Sequence, residues 1–458
     1  MPDSTPYDVA IVGAGICGSA LAHVLSRYTD VRRIAVLEKC EGPAEINSAH
    51  WNNSQTLHVG DIETNYSLDK AREVKRAAEM VRRYLERNDD EHRMHQVLQK
   101  MVIGVGEEEV ERLRQRHEEF QQLFPELQWL KREDIAELEP AVIEGRDPDE
   151  PIAALHIPEG HSVDYGRLAQ SFLEQAREDM KSAGDREQSD RELDIRYQTE
   201  VQAIEALEDG RGGYCLDLGE DGKLQARFLV VAAGGHSLLM AKQLGHGKNL
   251  GLLSVAGSFY HAEDCLKGKV YTMQIKELPF AAPHGDAEVH EPQQTRFGPT
   301  AKPLPMLERH QYGSIGGYFR TLDFNWATFA SLVRILCRPI LLRFAIMNAL
   351  YEVPWLGKRL FLRQLRKIVP KLKPGDIQRA RGIGGVRPQI VDTEARDLDL
   401  GEARIEGEHA IFNVTPSPGA SVCLRLARDD AETITKTLEC RFDSSRFDRE
   451  LGESGSSS

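Results

Sequence analysis

The 458-residue chain lacks several features that mark other classes of protein. It has no run of about 18 uncharged apolar residues, so the sequence predicts no membrane-spanning helix. The first apolar strand begins at Tyr7, and no charged and then apolar leader precedes it, so we expect a protein that is not exported by a standard signal. Its 41% of hydrophobic and 28% of charged residues are ordinary for a globular protein of two or three domains.

Cysteine is scarce as well. The seven cysteines are odd in number and widely scattered, and no two of them form a C-x-x-C pair. A disulfide framework or a zinc site would need paired cysteines at characteristic spacings. The pattern therefore indicates reduced thiols in a cytosolic compartment and no metal site.

Excess positive charge is also missing from the chain as a whole. The net charge is −14, which argues against general affinity for nucleic acid. The charge is unevenly distributed, because residues 326–373 contain ten basic residues and a single acidic one, Glu352. This basic segment carries a net charge of +9, so the remainder of the chain carries −23.

A complete βαβ unit stands at the start of the chain. The apolar runs 7–12 and 34–37 read as buried strands, and a helical pattern that opens with Gly13, Gly15 and Gly18 lies between them. The first glycine permits a tight turn, the second lets the backbone approach a pyrophosphate, and the third allows close packing of helix on strand. Glu38 ends the second strand, where its carboxylate can accept hydrogen bonds from a ribose diol. This predicts a dinucleotide site, for either FAD or NAD.

Two later segments complete the predicted nucleotide-binding domain. Residues 227–235 read as a buried strand that ends in two glycines. A strand, a Gly/Pro loop and a helix follow between residues 410 and 438. A nicotinamide cofactor would need only one compact domain, so this third piece suggests a longer cofactor that uses a second helix N-terminus near Gly419. An ordinary proline-flanked helix start is the alternative.

Sequence blocks in order along nearly the whole chain resemble one family. The loop 53–66 contains Ser54, Gln55, Thr56 and His58 in the form S-Q-T-x-H. The other blocks are the glycine motif 13–18 and residues 255–260, 278–286, 296–301, 385–389 and 415–420. Together they resemble the malate:quinone oxidoreductases, FAD enzymes of the wider D-amino-acid-oxidase-like group. The loop is similar to the shorter branch of that family, because the longer branch has G-T-G-H there.

The resemblance implies an α/β fold with FAD as the cofactor. We expect a Rossmann-like FAD-binding domain built from discontinuous segments, a mainly antiparallel β substrate domain and added helices. The predicted segments are 1–87, 155–250 and 376–445 for the FAD-binding domain, 88–154 for a helical insertion, 251–325 for the substrate domain, 326–375 for a basic amphipathic membrane-facing segment and 452–458 for a disordered tail. The predicted FAD contacts are Gly13, Gly15, Gly18, Glu38, Lys39, Ser54, Gln55, Thr56, Val201, Gly234, Ser417, Pro418, Gly419 and Ala420.

Oxidation of a 2-hydroxy acid needs a base for the hydroxyl proton and cations for the carboxylates. His284 is the first candidate base, since imidazole titrates near neutrality and Asp286 is placed to orient it, and His58 is the second. A structural hydrogen bond is the alternative role for each. Arg387 and Arg296 are the candidate carboxylate ligands, because the planar guanidinium matches a carboxylate, although either could form an interdomain salt bridge. The predicted substrate contacts are Tyr260, Tyr271 and Gln389.

The basic segment 326–375 mixes apolar stripes with arginine and lysine. This pattern is typical of an interfacial helix attracted to an anionic membrane surface, where a lipid-soluble quinone could reach the flavin. A buried helix with a solvated basic face is the alternative.

The predicted function is therefore FAD-dependent oxidation of (S)-malate to oxaloacetate with electron transfer to a quinone. The expected location is the cytoplasm, with peripheral attachment to the inner face of the cytoplasmic membrane. An L-2-hydroxyglutarate dehydrogenase or oxidase is the first alternative, because the substrates differ by one methylene. A flavin-binding membrane protein without turnover is the second. The sequence gives no indication of the oligomeric state.

Overall fold

The computed structural model describes residues 5–187, 191–207, 212–274, 282–287, 294–322, 333–334, 337–392, 397–399, 403–415 and 418–452. The described strands are β1 (Tyr7–Val12), β2 (Arg33–Leu37), β3 (His95–Val105), β4 (Gln128–Leu130), β5 (Ile152–Val163), β6 (Glu192–Arg196), β7 (Ala203–Ala206), β8 (Tyr214–Asp217), β9 (Lys223–Val231), β10 (Leu250–Ala256), β11 (Tyr260–Glu263), β12 (Lys269–Thr272), β13 (His284–Ala287), β14 (Gln294–Gly298), β15 (Lys302–Pro303), β16 (Ile377–Arg379), β17 (Val386–Asp392), β18 (Asp397–Asp399), β19 (Ala403–Gly407) and β20 (Ala410–Val414). The described α-helices are α1 (Ile16–Tyr28), α2 (Leu68–Asn88), α3 (Glu107–Phe120), α4 (Arg132–Leu138), α5 (Pro140–Ile143), α6 (Tyr165–Glu187), α7 (Gly235–Gln243), α8 (Ser314–Thr321), α9 (Pro339–Tyr351), α10 (Leu356–Leu365), α11 (Cys423–Leu438) and α12 (Ser444–Glu450).

The first large sheet is the predicted nucleotide-binding sheet. Its strands follow the order β19-β20-β9-β1-β2-β6, with β8 and β7 added as an antiparallel pair beside β9. β1 runs parallel to β2 and to β9, and almost all of its side chains are buried. Such continuous apolar strands are typical of parallel sheets that are covered on both faces. α1, α6 and α11 pack together over one of these faces.

The two ends of the chain meet in this sheet. β20 lies parallel to β9, with Ile411 opposite Val230, and β9 lies parallel to β1. The C-terminal strand therefore joins the sheet that the N-terminal strand begins. The helix that follows it, α11, packs directly on α1. The sequence prediction of one nucleotide-binding unit built from separated segments agrees with this topology.

The second large sheet has the order β16-β11-β14-β13-β12-β3-β5-β4. It is mostly antiparallel, although β12 runs parallel to β3. The predicted helical character of segment 88–154 is wrong, because this segment contributes β3 and β4 to the sheet in addition to α3, α4 and α5. Met101, Val102 and Ile103 of β3 are buried, and the pairing of β3 with β5 and β12 produces a strand within a segment that was expected to be helical. The division into domains stays a prediction.

A third, four-stranded sheet has the order β15-β10-β17-β18. β17 is antiparallel to β10, and Arg387 stands opposite Val255. The first residue of β17, Val386, donates a backbone hydrogen bond to Oδ1 of Asn47 at 3.1 Å. A loop of the nucleotide-binding segment thus fixes the strand that carries Arg387.

Two helices of the predicted membrane-facing segment are described, α9 and α10. Glu352 follows α9 and joins it to the sheets, because it accepts hydrogen bonds from Ser258 at 2.8 Å and from Lys302 at 2.9 Å. Leu341 and Phe361, two members of the predicted apolar stripe, are buried in the core and do not face outward. No described helix is both long and apolar enough to cross a membrane. The predicted disordered tail lies outside the described residues apart from Gly452.

Candidate active site

A cleft between the first sheet and the third gathers most of the predicted site residues. It begins at the carboxyl ends of β1 and β2, passes the N-terminus of α1 and reaches the turn before α11. The carboxyl ends of parallel strands are where open α/β sheets bind their ligands. The predicted residues that line the cleft are Gly13, Gly15, Glu38, Lys39, Ser54, Thr56, His58, Val201, Gly234, Arg387, Pro418, Gly419 and Ala420.

The glycine motif gives the cleft an anion-binding end. Gly13 has a φ of +102°, and a Cβ there would lie 2.7 Å from the carbonyl oxygen of Ala232. Gly15 is the N-cap of α1 and has no side chain of its own to bond the first N–H groups, although the N–H of Ile16 donates to Oγ of Ser48 at 3.1 Å. A Cβ on Gly18 would overlap the carbonyl oxygen of Gly13, which explains why helix and strand can pack so closely. The orphan N–H groups and the helix dipole suit a pyrophosphate.

Glu38 marks the ribose end of the cleft. Its Oε2 accepts a hydrogen bond from the N–H of Ala14 at 2.7 Å, and its Oε1 accepts one from Cys40 at 2.9 Å. An ionised carboxylate offers about four acceptor sites, so Glu38 can still accept bonds from a ribose diol. Both contacts fix the carboxylate in place before any ligand binds.

Lys39 is held by a contact that the sequence did not reveal. Its ammonium contacts Oε1 of Glu308, and Nε2 of His236 lies 2.9 Å from the same oxygen. Burial opposes ionisation of Glu308, but the hydrogen bonds from His236 and Lys39 lower its pKa to about 2. Glu308 lies far from Lys39 in sequence, so no local pattern predicts the pair.

The C-terminal turn closes the other end of the cleft. Ser421 donates its backbone N–H to the carbonyl of Pro418 at 2.7 Å, and α11 begins only at Cys423. The predicted helix start at Ala420 is therefore three residues too early, because a tight turn precedes the helix. Pro418, Gly419 and Ala420 line the cleft, whereas Ser417 lies outside the described residues.

The loop before His58 contributes backbone and hydroxyl groups. Ser54 and Thr56 line the cleft, but Gln55 does not. Gln55 has a φ of +54° and donates its side-chain amide to the carbonyl of His50 at 3.2 Å. Because its amide is turned into the loop, Gln55 shapes this segment and does not face the ligand.

Arg387 reaches the cleft from β17. Within the part of the chain that the structure describes, its guanidinium forms no hydrogen bond or ion pair. Burial lowers the pKa of Arg387, while the nearby Tyr271 raises it. Partial burial of a guanidinium without a paired anion is costly, so this half-buried side chain is suited to an anionic ligand that would share its charge.

A buried polar cluster adjoins Arg387 through Tyr271. The Tyr271 ring stacks on His284 with centroids 4.6 Å apart, and Nε2 of His284 lies 3.4 Å from Oδ2 of Asp286. Asp286 also lies 4.0 Å from Nζ of Lys269 and 3.6 Å from Nη2 of Arg296. Burial raises the pKa of Asp286, but these cations and His284 outweigh it and keep the pKa below its usual range.

The cluster has a net positive charge even without its histidine. Lys269 and Arg296 supply two cations, and the ionised Asp286 removes one. Arg387 adds a further positive charge beside it, so the whole region carries +2. This charge matches a dicarboxylate. Arg296 does not line the cleft itself and acts within the cluster, where it also lies 4.9 Å from the ring of Phe259.

His58 lines the cleft and is paired with a carboxylate. Its Nδ1 lies 2.6 Å from Oε1 of Glu63, and its backbone N–H donates to Oγ of Ser421 at 2.9 Å. His284 differs, because it is completely buried and does not line the cleft. Of the two candidate bases, the structure therefore places only His58 at the ligand cavity.

None of the three predicted substrate contacts lines the cleft, and Tyr271 belongs to the buried cluster. Tyr260 is buried in the second core, where it stacks on Phe361 with ring centroids 5.5 Å apart. Gln389 is buried on β17 opposite Leu253. Neither residue lines the cleft. An aromatic residue on a strand was also compatible with a core position, and Tyr260 occupies one.

Glu63, Lys269 and Ser421 were not predicted as site residues. Glu63 stands within the predicted loop, five residues after His58, and this spacing was the signal that could have indicated the pair. Lys269 meets the loop only through long-range contacts, because its Nζ donates to the carbonyl of Ser54 at 2.8 Å and to Thr56 Oγ1 at 3.0 Å. No spacing in the sequence indicates that contact.

Two solved structures of oxidases share the fold of this chain. L-alpha-glycerophosphate oxidase from Mycoplasma pneumoniae, with FAD bound, is 16% identical and has a TM-score of 0.64, with 96% of each chain covered. Glycine oxidase from Geobacillus kaustophilus is 19% identical and has a TM-score of 0.62, with 97% of this chain and 98% of that chain covered. This chain shares their fold, and the predicted fold class is confirmed.

The family is shown by sequence. The family model described as malate:quinone oxidoreductase matches residues 5–453. The probable malate:quinone oxidoreductase of Campylobacter jejuni is 38% identical over 455 residues, which cover 97% of this chain and 99% of that protein. The malate:quinone oxidoreductase of Helicobacter pylori is 36% identical over 458 residues, which cover 98% of both. The chain belongs to the malate:quinone oxidoreductase family, as its motifs predicted.

Proposed function

We propose that this protein oxidises (S)-malate to oxaloacetate and delivers the electrons to a quinone at an anionic membrane surface. Family membership supports malate and quinone as the reactants. The observation that carries the choice of a dicarboxylate is Arg387, which lines the cleft without a hydrogen bond or ion pair to any described residue. The adjoining buried cluster adds the second positive charge.

The residues of the cleft suit FAD. Gly13 and Gly15 leave room at the N-terminus of α1, Glu38 retains acceptor sites, and the turn at Gly419 closes the opposite end. When bound, FAD supplies the two-electron acceptor for malate and a donor for the quinone. Malate gives its hydroxyl proton to a protein base and loses the hydride on C2, and the C2–O bond becomes the carbonyl of oxaloacetate.

The chain's own residues bind and orient the diacid. Arg387 can hold one carboxylate in a bidentate geometry, because guanidinium presents parallel N–H donors. The net positive cluster of Lys269, Arg296 and Asp286 lies beside Arg387 and attracts the second carboxylate. His58 stands at the cleft as the candidate proton acceptor.

The helices α9 and α10 support the proposed membrane contact. Seven of the ten exposed large hydrophobic side chains among the described residues fall between Val333 and Leu356. Trp355 is 90% exposed, and it stands in the turn between the two helices with Val353 and Leu356 beside it. The basic residues Lys358, Arg359 and Arg363 follow in α10. Apolar side chains flanked by basic ones are suited to the interface of an anionic bilayer.

Substrate selectivity tests the proposal against its nearest alternative. Purified protein loaded with FAD is assayed with (S)-malate and with L-2-hydroxyglutarate, using a soluble quinone as the electron acceptor. We expect kcat/KM to be higher for malate by about tenfold or more, since one extra methylene in a fitted pocket changes binding by about 1–3 kcal/mol. A higher value for 2-hydroxyglutarate would assign the protein to that substrate. If neither substrate is oxidised, the protein is a flavin-binding protein without this activity.

A further inference from the structure

The loop after His58 contains a buried acid that the reaction described above does not use. Glu63 is 5% exposed and lies five residues after His58. Its Oε1 is 2.6 Å from Nδ1 of His58, and its Oε2 accepts the backbone N–H of Gly60 at 2.9 Å. Both carboxylate oxygens therefore have a hydrogen-bond partner, and the partner of Oε1 is the histidine that lines the cleft.

We propose that Glu63 is a positioning residue that fixes His58 in the Nδ1–H tautomer, so that His58 Nε2 is the atom that accepts the hydroxyl proton of the substrate. The inference rests on the proposed function for the identity of the substrate. The assignment of the His58 tautomer is independent of that function. An ionised carboxylate has no proton to donate, so the proton in the 2.6 Å contact belongs to His58 Nδ1. In the neutral ring, Nε2 then carries a lone pair.

The surroundings keep Glu63 ionised. Burial raises its pKa, but the hydrogen bond and charge of His58 and the charge of Lys100 outweigh burial and bring the pKa to about 2. Lys100 is itself buried and donates to Oδ1 of Asp61 at 2.8 Å. Arg116 reaches the backbone carbonyl of Glu63 from α3. The charged groups facing the pair are therefore Asp61 from the same loop, Lys100 from β3 and Arg116 from α3, with the Tyr271 hydroxyl on the side of β12.

The backbone around His58 is held from both sides. The N–H of Leu57 donates to the carbonyl of His161 at 3.0 Å, and the N–H of His58 donates to Oγ of Ser421 at 2.9 Å. Tyr165 donates to the carbonyl of Thr56 at 2.9 Å. The main chain and Nδ1 of His58 are thus fixed. Its Nε2 forms no hydrogen bond with the residues that the structure describes.

His284 lacks this arrangement. Its Nδ1 lies 3.0 Å from the carbonyl of Ala282, and its Nε2 faces Asp286 at 3.4 Å. His284 is completely buried and does not line the cleft, so neither ring nitrogen can reach a ligand there. This position favours His58.

A long-range ¹H–¹⁵N spectrum of the FAD-loaded protein with ¹⁵N-labelled histidine rings tests the tautomer directly. The signals of His58 are identified by their loss in His58→Gln. We expect the neutral form of the ring to be protonated at Nδ1. A ring protonated at Nε2 would overturn the inference, whatever substrate the enzyme uses.

The pH dependence of flavin reduction tests the role in the reaction. Glu63→Gln keeps an acceptor for Nδ1–H but removes the negative charge that stabilises a protonated His58. We expect the maximal rate of flavin reduction by malate to fall about tenfold or more, with the acid limb of the pH profile displaced to lower pH by about one unit. FAD content is expected to stay at the wild-type level. A variant that keeps the wild-type pH profile would show that Glu63 only supports the loop.

Asp89→Asn is the matched control. Asp89 Oδ2 lies 2.7 Å from Nδ1 of His95, so this is a second buried carboxylate–histidine pair, and neither residue lines the cleft. The control is expected to lower stability without moving the pH profile. A profile displaced equally in both variants would contradict a specific role for Glu63. If malate does not reduce the flavin of the wild type or of the variants, the proposed function fails. The tautomer measurement still tests the inference about Glu63 and His58 in that case.

Discussion

The hydroxyl of Tyr271 lies 2.6 Å from Oγ1 of Thr56, and this contact joins the second sheet to the loop that lines the FAD cleft. Tyr271 also stacks on His284 of the buried cluster and lies close enough to Arg387 to affect its pKa. One side chain thus connects the loop at Thr56, the charged cluster and Arg387. The proposed substrate region lies at this junction of the two parts of the molecule.

Removal of the Tyr271 hydroxyl is expected to loosen this junction. Tyr271→Phe should lower the free energy of unfolding by about 1 kcal/mol, the usual contribution of one buried hydrogen bond. Thr56 keeps its bond from Lys269, so the FAD content should not change. Urea unfolding followed by circular dichroism measures the loss. Tyr260→Phe is the control, because that buried hydroxyl has no hydrogen-bond partner among the described residues, and an equal loss there would contradict the assignment.

Replacement of Arg387 is expected to weaken malate binding selectively. Arg387→Lys retains the charge but loses the bidentate fork, so KM for malate should rise about thirtyfold, which corresponds to about 2 kcal/mol. FAD content should remain unchanged, because the predicted phosphate and ribose contacts lie elsewhere in the cleft. Steady-state kinetics with a soluble quinone supplies the value. Arg114→Lys, in an exposed ion pair on α3, is the control, and an unchanged KM in Arg387→Lys would exclude a carboxylate contact.

Removal of the exposed tryptophan is expected to weaken vesicle binding. Trp355→Ala deletes a large apolar side chain from the turn between α9 and α10. We expect the affinity for anionic vesicles, measured by co-sedimentation, to fall about tenfold. Added salt should weaken the wild type further, since the neighbouring basic residues act through screened charges. Tyr312→Ala removes an aromatic side chain that is 72% exposed outside this segment. Equal losses in both variants would argue against an anchor at Trp355.

The charge of Glu308 is expected to make stability depend on pH. Its pKa is lowered from 4.5 to about 2, so ionised Glu308 stabilises the folded protein above its unfolded pKa. The stabilisation is lost as the pH falls from about 4.5 toward 2. The difference in Tm between wild type and Glu308→Gln should therefore be full at neutral pH and shrink below about pH 4.5. The control Glu86→Gln alters a half-exposed ion pair on α2 and should show little difference at any pH.

The βαβ unit with its glycine motif could be predicted from the sequence because its key parts are local. Gly13, Gly15, Gly18 and Glu38 all belong to one βαβ unit, and the turn, the close packing and the end of the strand follow from their spacing. The C-terminal helix start was misplaced by three residues, because the turn at Pro418 continues to Ser421. Helical periodicity alone does not show where such a turn ends.

The substrate region was predicted less accurately because long-range contacts build it. The sequence analysis placed His284 before His58 as the candidate base, but sheet pairing buries His284 and leaves His58 at the cleft. Lys269 enters the region only because β12 lies beside the loop of Thr56. Strand β3 lies in a segment that was expected to be a helical insertion. It forms a strand because it pairs with β12 and β5, which are distant in sequence. Such packing cannot be read from the spacing of residues.

One anaerobic redox cycle tests the central claim most directly. Purified protein is incubated with FAD and freed of excess cofactor. It is then mixed with (S)-malate and afterwards with a quinone in anionic vesicles. The flavin absorbance is recorded before and after each addition. We predict that the protein is yellow, that malate removes this absorbance and that the quinone restores it. A protein that takes up no FAD, or whose bound FAD malate leaves oxidised, would contradict the account.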